Sequence, residues 1–245
     1  MGWLQNRVGS TSVWGWHFDK HIVSTPSDFG TQGAKPTHPE LLEDLAARFI
    51  AHGWSLKWLH REIMLSATYR QSSKPRSEGV QSDQSNELLW RMNPRRVDIE
   101  AYRDSILKIS ENLDPKIYGV SEDVETGKRR TVYAKLTRRG FSDVLRLYDV
   151  QQPLAHIPMR TQTINPLQAL FVMNSAFIQD QATALAKDGR TETAPADKVR
   201  SLYRRVFSRE ASGKELDLGM SYLSKASLEQ FAQALLSTNE VIFWP

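Results

Sequence analysis

Apolar residues return every three or four positions along several stretches of the chain, and each such stretch predicts a helix. The first runs over 37–53: Thr37 is placed as its cap, Pro39 and Glu40 stand in the first turn, and Gly53 is the stop. Its stripe is Leu42, Leu45 and Phe49. Ser55 caps the next helix, whose stripe is Leu56, Leu59, Ile63, Met64 and Ala67, so the two form a helical hairpin. A third helix is expected over 98–113 on Ile99, Tyr102, Ile106 and Ile109, and a short one over 141–148. The longest is expected over 166–187, with Leu167, Leu170, Phe171, Phe177, Ile178, Ala182 and Leu185 on one face and Asn174 in the middle of it. Three more fit 197–207, 213–225 and 227–237. Only 130–136 alternates with β-branched residues, predicting one short strand or hairpin.

The pattern therefore predicts a mainly α, multi-helix globular fold. An N-terminal loop and helical hairpin occupy 1–70. A linker rich in Ser, Gln and Lys follows over 71–86, and the main helical part covers 87–245, expected to join 1–70 in one compact unit.

Composition narrows this picture only in part. With 40% hydrophobic residues, seven Trp, seven Tyr and nine Phe, the 245 residues can bury a large core, which excludes a disordered tail. Lys and Arg exceed Asp and Glu by 32 to 28, a net +4 that mildly favours anionic partners. No cysteine is present, so no disulfide, thiol nucleophile or C-x-x-C-H haem attachment can form within the chain. No apolar run is long enough to span a membrane, and the first ten residues do not read as a signal peptide.

The candidate chemistry is sparse. His17 and His21 stand four apart, but no H-E-x-x-H or carboxylate-completed triad appears, so no metal site is expected. Asp28-Phe29-Gly30 matches the metal loop of kinases without the rest of the kinase signature. No G-x-S-x-G elbow is present, and Glu122, Asp123 and Glu125 read as solvated loop acids. Arg95, Arg96, Arg129 and Arg130 are the anion-binding candidates, although aromatic stacking platforms are not interleaved with the basic groups. A candidate polar cluster comprises Asp28 in a Pro/Gly-bounded loop, His156 and Arg160 ahead of the long helix, and Gln168 and Asn174 on it. These residues either pin loops to the helices through buried hydrogen bonds or converge on a ligand pocket.

Ordered segments then give a resemblance. VSTPSDFG at 23–30, PTHPELL at 36–42, GWSLK at 53–57, SATYRQSS at 66–73 and LWRMNPRR at 89–96 are followed by TINPLQAL at 163–170, MNS at 173–175, LYRRV at 202–206 and STNE at 237–240. Together they resemble the planctomycete cytochrome-associated C-terminal domain, domain of unknown function 1553. The resemblance implies an exported protein, periplasmic or at the cell surface, with haem held only on upstream domains and no cofactor in this chain. It implies partners among those haem-bearing and unknown-function domains, and it carries no established reaction. The N-terminal end departs from the family pattern: Asp19 and His21 stand where two glycines are expected, so a left-handed backbone there is strained.

The leading expectation is an uncharacterised accessory domain that binds or organises, contacting an anionic polysaccharide or a redox partner. The alternative is an enzyme domain acting on complex polysaccharide, or in redox chemistry with a neighbouring domain. A nucleic-acid binder ranks last, because no recognition motif is present.

Overall fold

The computed structural model describes residues 2–137, 139–152, 159–160, 162–189 and 192–244. The chain divides into two compact units, Met1–Arg95 and Arg96–Trp244.

In the first unit, helices α1 (Gly2–Phe18), α2 (Pro39–Ala51) and α3 (Leu56–Leu65) pack against one another. Their core holds Val13, Phe18, Ile22, Leu42, Phe49, Leu59 and Ile63. The hairpin of α2 and α3 follows the sequence pattern, and the Ser55 hydroxyl accepts the Trp58 amide as expected of a cap. The cap of α2 is a correction. His38 occupies that position without a side-chain bond, and Thr37 instead donates its hydroxyl to the Ile22 carbonyl.

Helix α1 precedes the loop expected ahead of the hairpin, which runs over 19–38, and was itself not expected. Its periodicity is hidden because Ser10 and Thr11 are buried beside Val13 and Trp14, so polar residues interrupt the apolar face. Gly15 lets the His21 ring close over the helix end, since a Cβ there would lie 2.4 Å from the imidazole. Asp19 has φ +56°, so the left-handed backbone expected at this glycine-replacing position is present.

The stretch 71–86 is not a bare linker. It carries α4 (Ser77–Ser82) and belongs with residues 87–95 to the first unit, where the Asn93 side chain donates to the Phe18 carbonyl at 2.9 Å.

His17 and His60 form the main titratable pair of this unit. His17 Nε2 and His60 Nδ1 lie 2.8 Å apart, and Tyr69 meets the His17 ring edge-on. Burial first, then His60 and Arg95, lower the His17 pKa from its ordinary value. A base with a lowered folded pKa binds its proton more readily when unfolded, so its stabilising effect is full above the unfolded value and fades as pH falls below it. The urea midpoint of the first unit should therefore drop between pH 7.5 and 5.5, and His17→Gln should flatten that dependence. A midpoint that held or rose on acidification would contradict this.

The second unit contains α5 (Ile99–Ile109), α6 (Asp143–Leu147), α7 (Pro166–Asn174), α8 (Ala176–Gly189), α9 (Pro195–Phe207), α10 (Gly213–Leu223), α11 (Leu228–Leu236) and α12 (Asn239–Ile242). α8 lies along α11, α9 packs on α8 and α10, and α5 reaches α8. Ile106, Leu145, Ile178, Leu185, Leu202 and Leu236 are fully buried between them. Next to the two-residue strand Phe243–Trp244, the Val97 amide donates to the Ile242 carbonyl at 2.8 Å.

The mainly α expectation holds, with two local corrections. Residues 130–136 make a 3-10 turn at Thr131–Tyr133 and a single bridge between Glu122 and Ala134. The cause is Asp104, whose Oδ1 takes both the amide and the hydroxyl of Thr131 at 2.7 Å and diverts the backbone from a ladder. The long helix expected over 166–187 is two. Ser175 is extended, ends α7, and its hydroxyl accepts the Ile178 amide to start α8. That break turns the face expected to be buried: Leu167 and Leu170 are 56% and 49% exposed, and Asn174 is exposed rather than buried in an apolar stripe.

Candidate functional site

The densest polar bonding beside an open surface in the second unit centres on Arg96 and Asp149. α6 is capped by Ser142 and ends at Tyr148, after which Asp149 adopts φ +63°. That turn points the Asp149 carboxylate at the segment leading into α7. Oδ2 accepts the Thr163 amide at 2.8 Å and the Arg96 guanidinium at 3.0 Å, while Oδ1 accepts the Thr163 hydroxyl at 2.7 Å. Burial works to raise the Asp149 pKa, but the bonds from Thr163 and Arg96 outweigh it and hold the group below its ordinary value.

The other guanidinium nitrogen of Arg96 donates to the Thr163 carbonyl at 2.6 Å and to Gln168 Oε1 at 2.7 Å, and the guanidinium lies over the Tyr148 ring. Gln168 Nε2 donates to the Leu147 carbonyl at 2.9 Å. Asn165 and Gln168 form the reciprocal cap that starts α7, so the same glutamine closes the helix and fixes the arginine. Tyr148 donates its hydroxyl to the Gln168 carbonyl at 3.1 Å, and burial pushes its pKa up to about 12.

An open groove of about 670 Å³ runs beside this centre. Leu147, Leu167, Leu170 and Phe171 give it an apolar floor, with Asp143, Arg146, Asp149, Thr163 and Asn165 along its edges. The volume falls within the ~300–1,000 Å³ of ligand-binding clefts. Asp149 and the neighbouring Tyr148 are poor proton-transfer groups. Both oxygens of Asp149 are engaged and the carboxylate stays ionised, while Tyr148 stays protonated, so neither exchanges a proton near neutrality.

The residues singled out in the sequence divide as follows. Gln168 and Arg96 meet directly. Arg160 pairs through both terminal nitrogens with Glu100 at 2.8 Å and reaches Asp98 at 3.4 Å, a fork that holds its segment to the start of α5. Asp28 lies in the first unit, where its Oδ1 accepts the Gly30 amide at 2.9 Å. Asn174 borders the groove at the exposed end of α7. His156 lies outside the described residues.

Of the four anion-binding candidates, two are not open to a ligand. Arg129 is buried among carbonyls of its own loop, and Arg96 is committed as above. Arg95 donates to the Trp16 carbonyl, and Arg130 is exposed with Asp104 at 3.5 Å. Asp149 carried no signal in the sequence, and Leu167 and Leu170 were expected on a buried face rather than beside an open groove. A single Asp after a short helix announces nothing until a partner 53 residues away is folded against it.

The family described as Protein of unknown function (DUF1553) matches residues 3–223. The chain belongs to this family. Neither a curated protein nor a solved structure matches the chain. Within the DUF1553 match fall the Arg96 centre and every residue lining the groove. Among the described residues, no helix is long and apolar enough to cross a membrane, and no three His, Cys, Asp or Glu side chains gather as a metal site.

Proposed function

We propose that this DUF1553 domain is an accessory binding and organising module, whose working face is the groove along α7. One observation carries the reading: Arg96 and Asp149 are taken up by each other, by Thr163 and by Gln168, while Leu167 and Leu170 beside them stand exposed to solvent. Exposed apolar surface gathered in one place is costly in water and marks an interaction face. The Arg96 centre acts as its frame, because it ties α6, the segment at Thr163 and the start of α7 together. Export and haem-bearing companion domains, both implied by the resemblance, belong to the same proposal. The lack of cysteine in the chain supports keeping covalent haem on a companion. Arg96 and Arg129 are committed within the chain, which removes two of the four candidate contacts to an anionic polysaccharide, and an apolar or mixed protein ligand suits the groove better.

The test uses an uncharged environment-sensitive dye. The intact chain should bind it saturably, and Leu170→Glu should weaken binding roughly tenfold or more, the ~1.4 kcal/mol of one good apolar contact. Because Leu170 is half exposed, the substitution should change stability by no more than about 0.5 kcal/mol. Dye binding that survived Leu170→Glu unchanged would remove the groove from the reading.

A further inference from the structure

His17 and His60 face each other from α1 and α3, with His17 Nε2 and His60 Nδ1 2.8 Å apart. Neutral imidazoles at that distance share one proton, donated by one ring to the lone pair of the other. If the donor ring moves its proton to its outer nitrogen, both lone pairs face inward and no proton leaves the pair. The pair can then hold a metal ion where the proton was. At metal–nitrogen distances of about 2 Å the two nitrogens need roughly 3.3–4 Å between them, an opening of about 0.5–1.2 Å for two partly buried rings. Met64 supplies a third donor. It stands one turn beyond His60 on α3, where residues four apart share a side of the helix, and it is 46% exposed, so no core packing holds its thioether. The His17 ring also meets Tyr69 edge-on at 5.3 Å, which sets it beside the stretch of chain that runs from His60 through Met64 to Tyr69. Trp16 stacks on the His60 ring, with 17° between the planes and 6.2 Å between the centres.

We propose that His17 Nε2, His60 Nδ1 and the Met64 thioether form a site for a soft monovalent metal ion, copper(I) or its analogue silver(I), with the Trp16 ring beside it. The donor set carries the choice of ion. Two imidazoles and a thioether, with neither thiolate nor carboxylate, suit copper(I) and offer a hard ion little. Charge points the same way. The groups whose charge acts on His17 are His60 and Arg95, neither of them an acid, and with burial they lower its pKa, so the ring is neutral and able to ligate near neutral pH. The Arg95 guanidinium, which donates to the Trp16 carbonyl, repels a divalent ion twice as strongly as a monovalent one. The indole face of Trp16 adds attraction for a cation stripped of its water. Motif spacing in the sequence does not reveal such a site, because its histidines are 43 residues apart on two helices and its third ligand is a methionine.

Silver(I) titration of the full chain in a chloride-free buffer, followed by NMR of isotope-labelled methionine methyls, tests this. The Met64 methyl should shift first and reach its end point at one equivalent, ahead of Met173, which is 59% exposed. In competition with a chromophoric copper(I) chelator, His60→Gln and Met64→Leu should each weaken binding at least about tenfold, the loss that even an outer-shell partner brings. Met64→Leu keeps the volume of a half-exposed side chain, so the fold should be retained and the loss read as a lost ligand. A chain that takes no copper(I) from the chelator, or that takes it equally well with His60→Gln, would overturn the proposal. So would a Met173 methyl that shifts in step with Met64, since silver would then be held by any open thioether. Zinc(II) bound as tightly as silver(I), and indifferent to Met64→Leu, would overturn it too, because the histidines would then serve a divalent ion without the thioether.

Discussion

Replacing Arg103 by Met is expected to destabilise the second unit by about 3–5 kcal/mol, the range seen when a buried charged partner is deleted. The side chain is buried under α5, and burial lowers its pKa. It nevertheless satisfies the Val124 carbonyl at 2.7 Å, the Arg129 carbonyl at 2.9 Å, the Gly127 carbonyl and the Thr131 hydroxyl at 3.2 Å. Met fills comparable space and leaves these acceptors without a donor, each costing about 1–3 kcal/mol if it stays dry. The loop would partly open to water, so the acceptor penalties do not simply add. At roughly 2–4 °C per kcal/mol the melting temperature should fall by about 6–20 °C. Limited proteolysis should move to 114–131, because Arg103 holds the carbonyl of Arg129, whose guanidinium in turn holds the Tyr118 carbonyl. Arg103→Lys should rescue little, as one ammonium cannot reach carbonyls arranged around a planar fork. A melting temperature within 2 °C of the parent, roughly 1 kcal/mol or less, would show that the loop stands without this arginine.

The second large effect is expected at Arg96→Met, a loss of about 2–4 kcal/mol from leaving Asp149 ionised and without its cation. The pH dependence should change with it. In the parent, Asp149 sits below its ordinary value, so its contribution is complete above the unfolded carboxylate range and is lost only as pH falls through the folded value. Without the guanidinium the folded value rises, and the acid-side loss should begin at higher pH. Adding Asp149→Asn to Arg96→Met should recover part of the stability, because removing both charges costs less than stranding one. Urea melts of the single and double variants between pH 4 and 7 measure both effects. A double variant no more stable than the single would deny that the pair is coupled.

How far the sequence could be read follows from which forces are local. α9, α10 and α11 were legible from apolar spacing near the chain's end, and Ser212 and Ser227 add the reciprocal caps that such spacing suggests. α1 was not legible, because Ser10 and Thr11 face the core and erase the stripe. The break at Ser175 was hidden too. Neither proline nor glycine marks it, and it becomes visible only when the serine caps α8. The strand reading of 130–136 failed through one long-range acceptor, Asp104, which a local alternation pattern cannot include. At the site, Arg96 and Gln168 were identifiable as polar residues with something to hold, but what they hold is each other and the backbone. The role of Asp149 and the exposure of Leu167 and Leu170 arise from folding alone, and with them the distinction between an anion site and an apolar groove.

The central claim is that the surface along α7 is where this domain binds. Methyl-labelled leucine NMR during a titration with the uncharged dye tests it most directly. The account predicts shifts at Leu147, Leu167 and Leu170, with buried Leu107 and Leu202 of the same unit unmoved. Shifts at the exposed Leu56 and Leu65 of the first unit, with the α7 leucines unchanged, would contradict it.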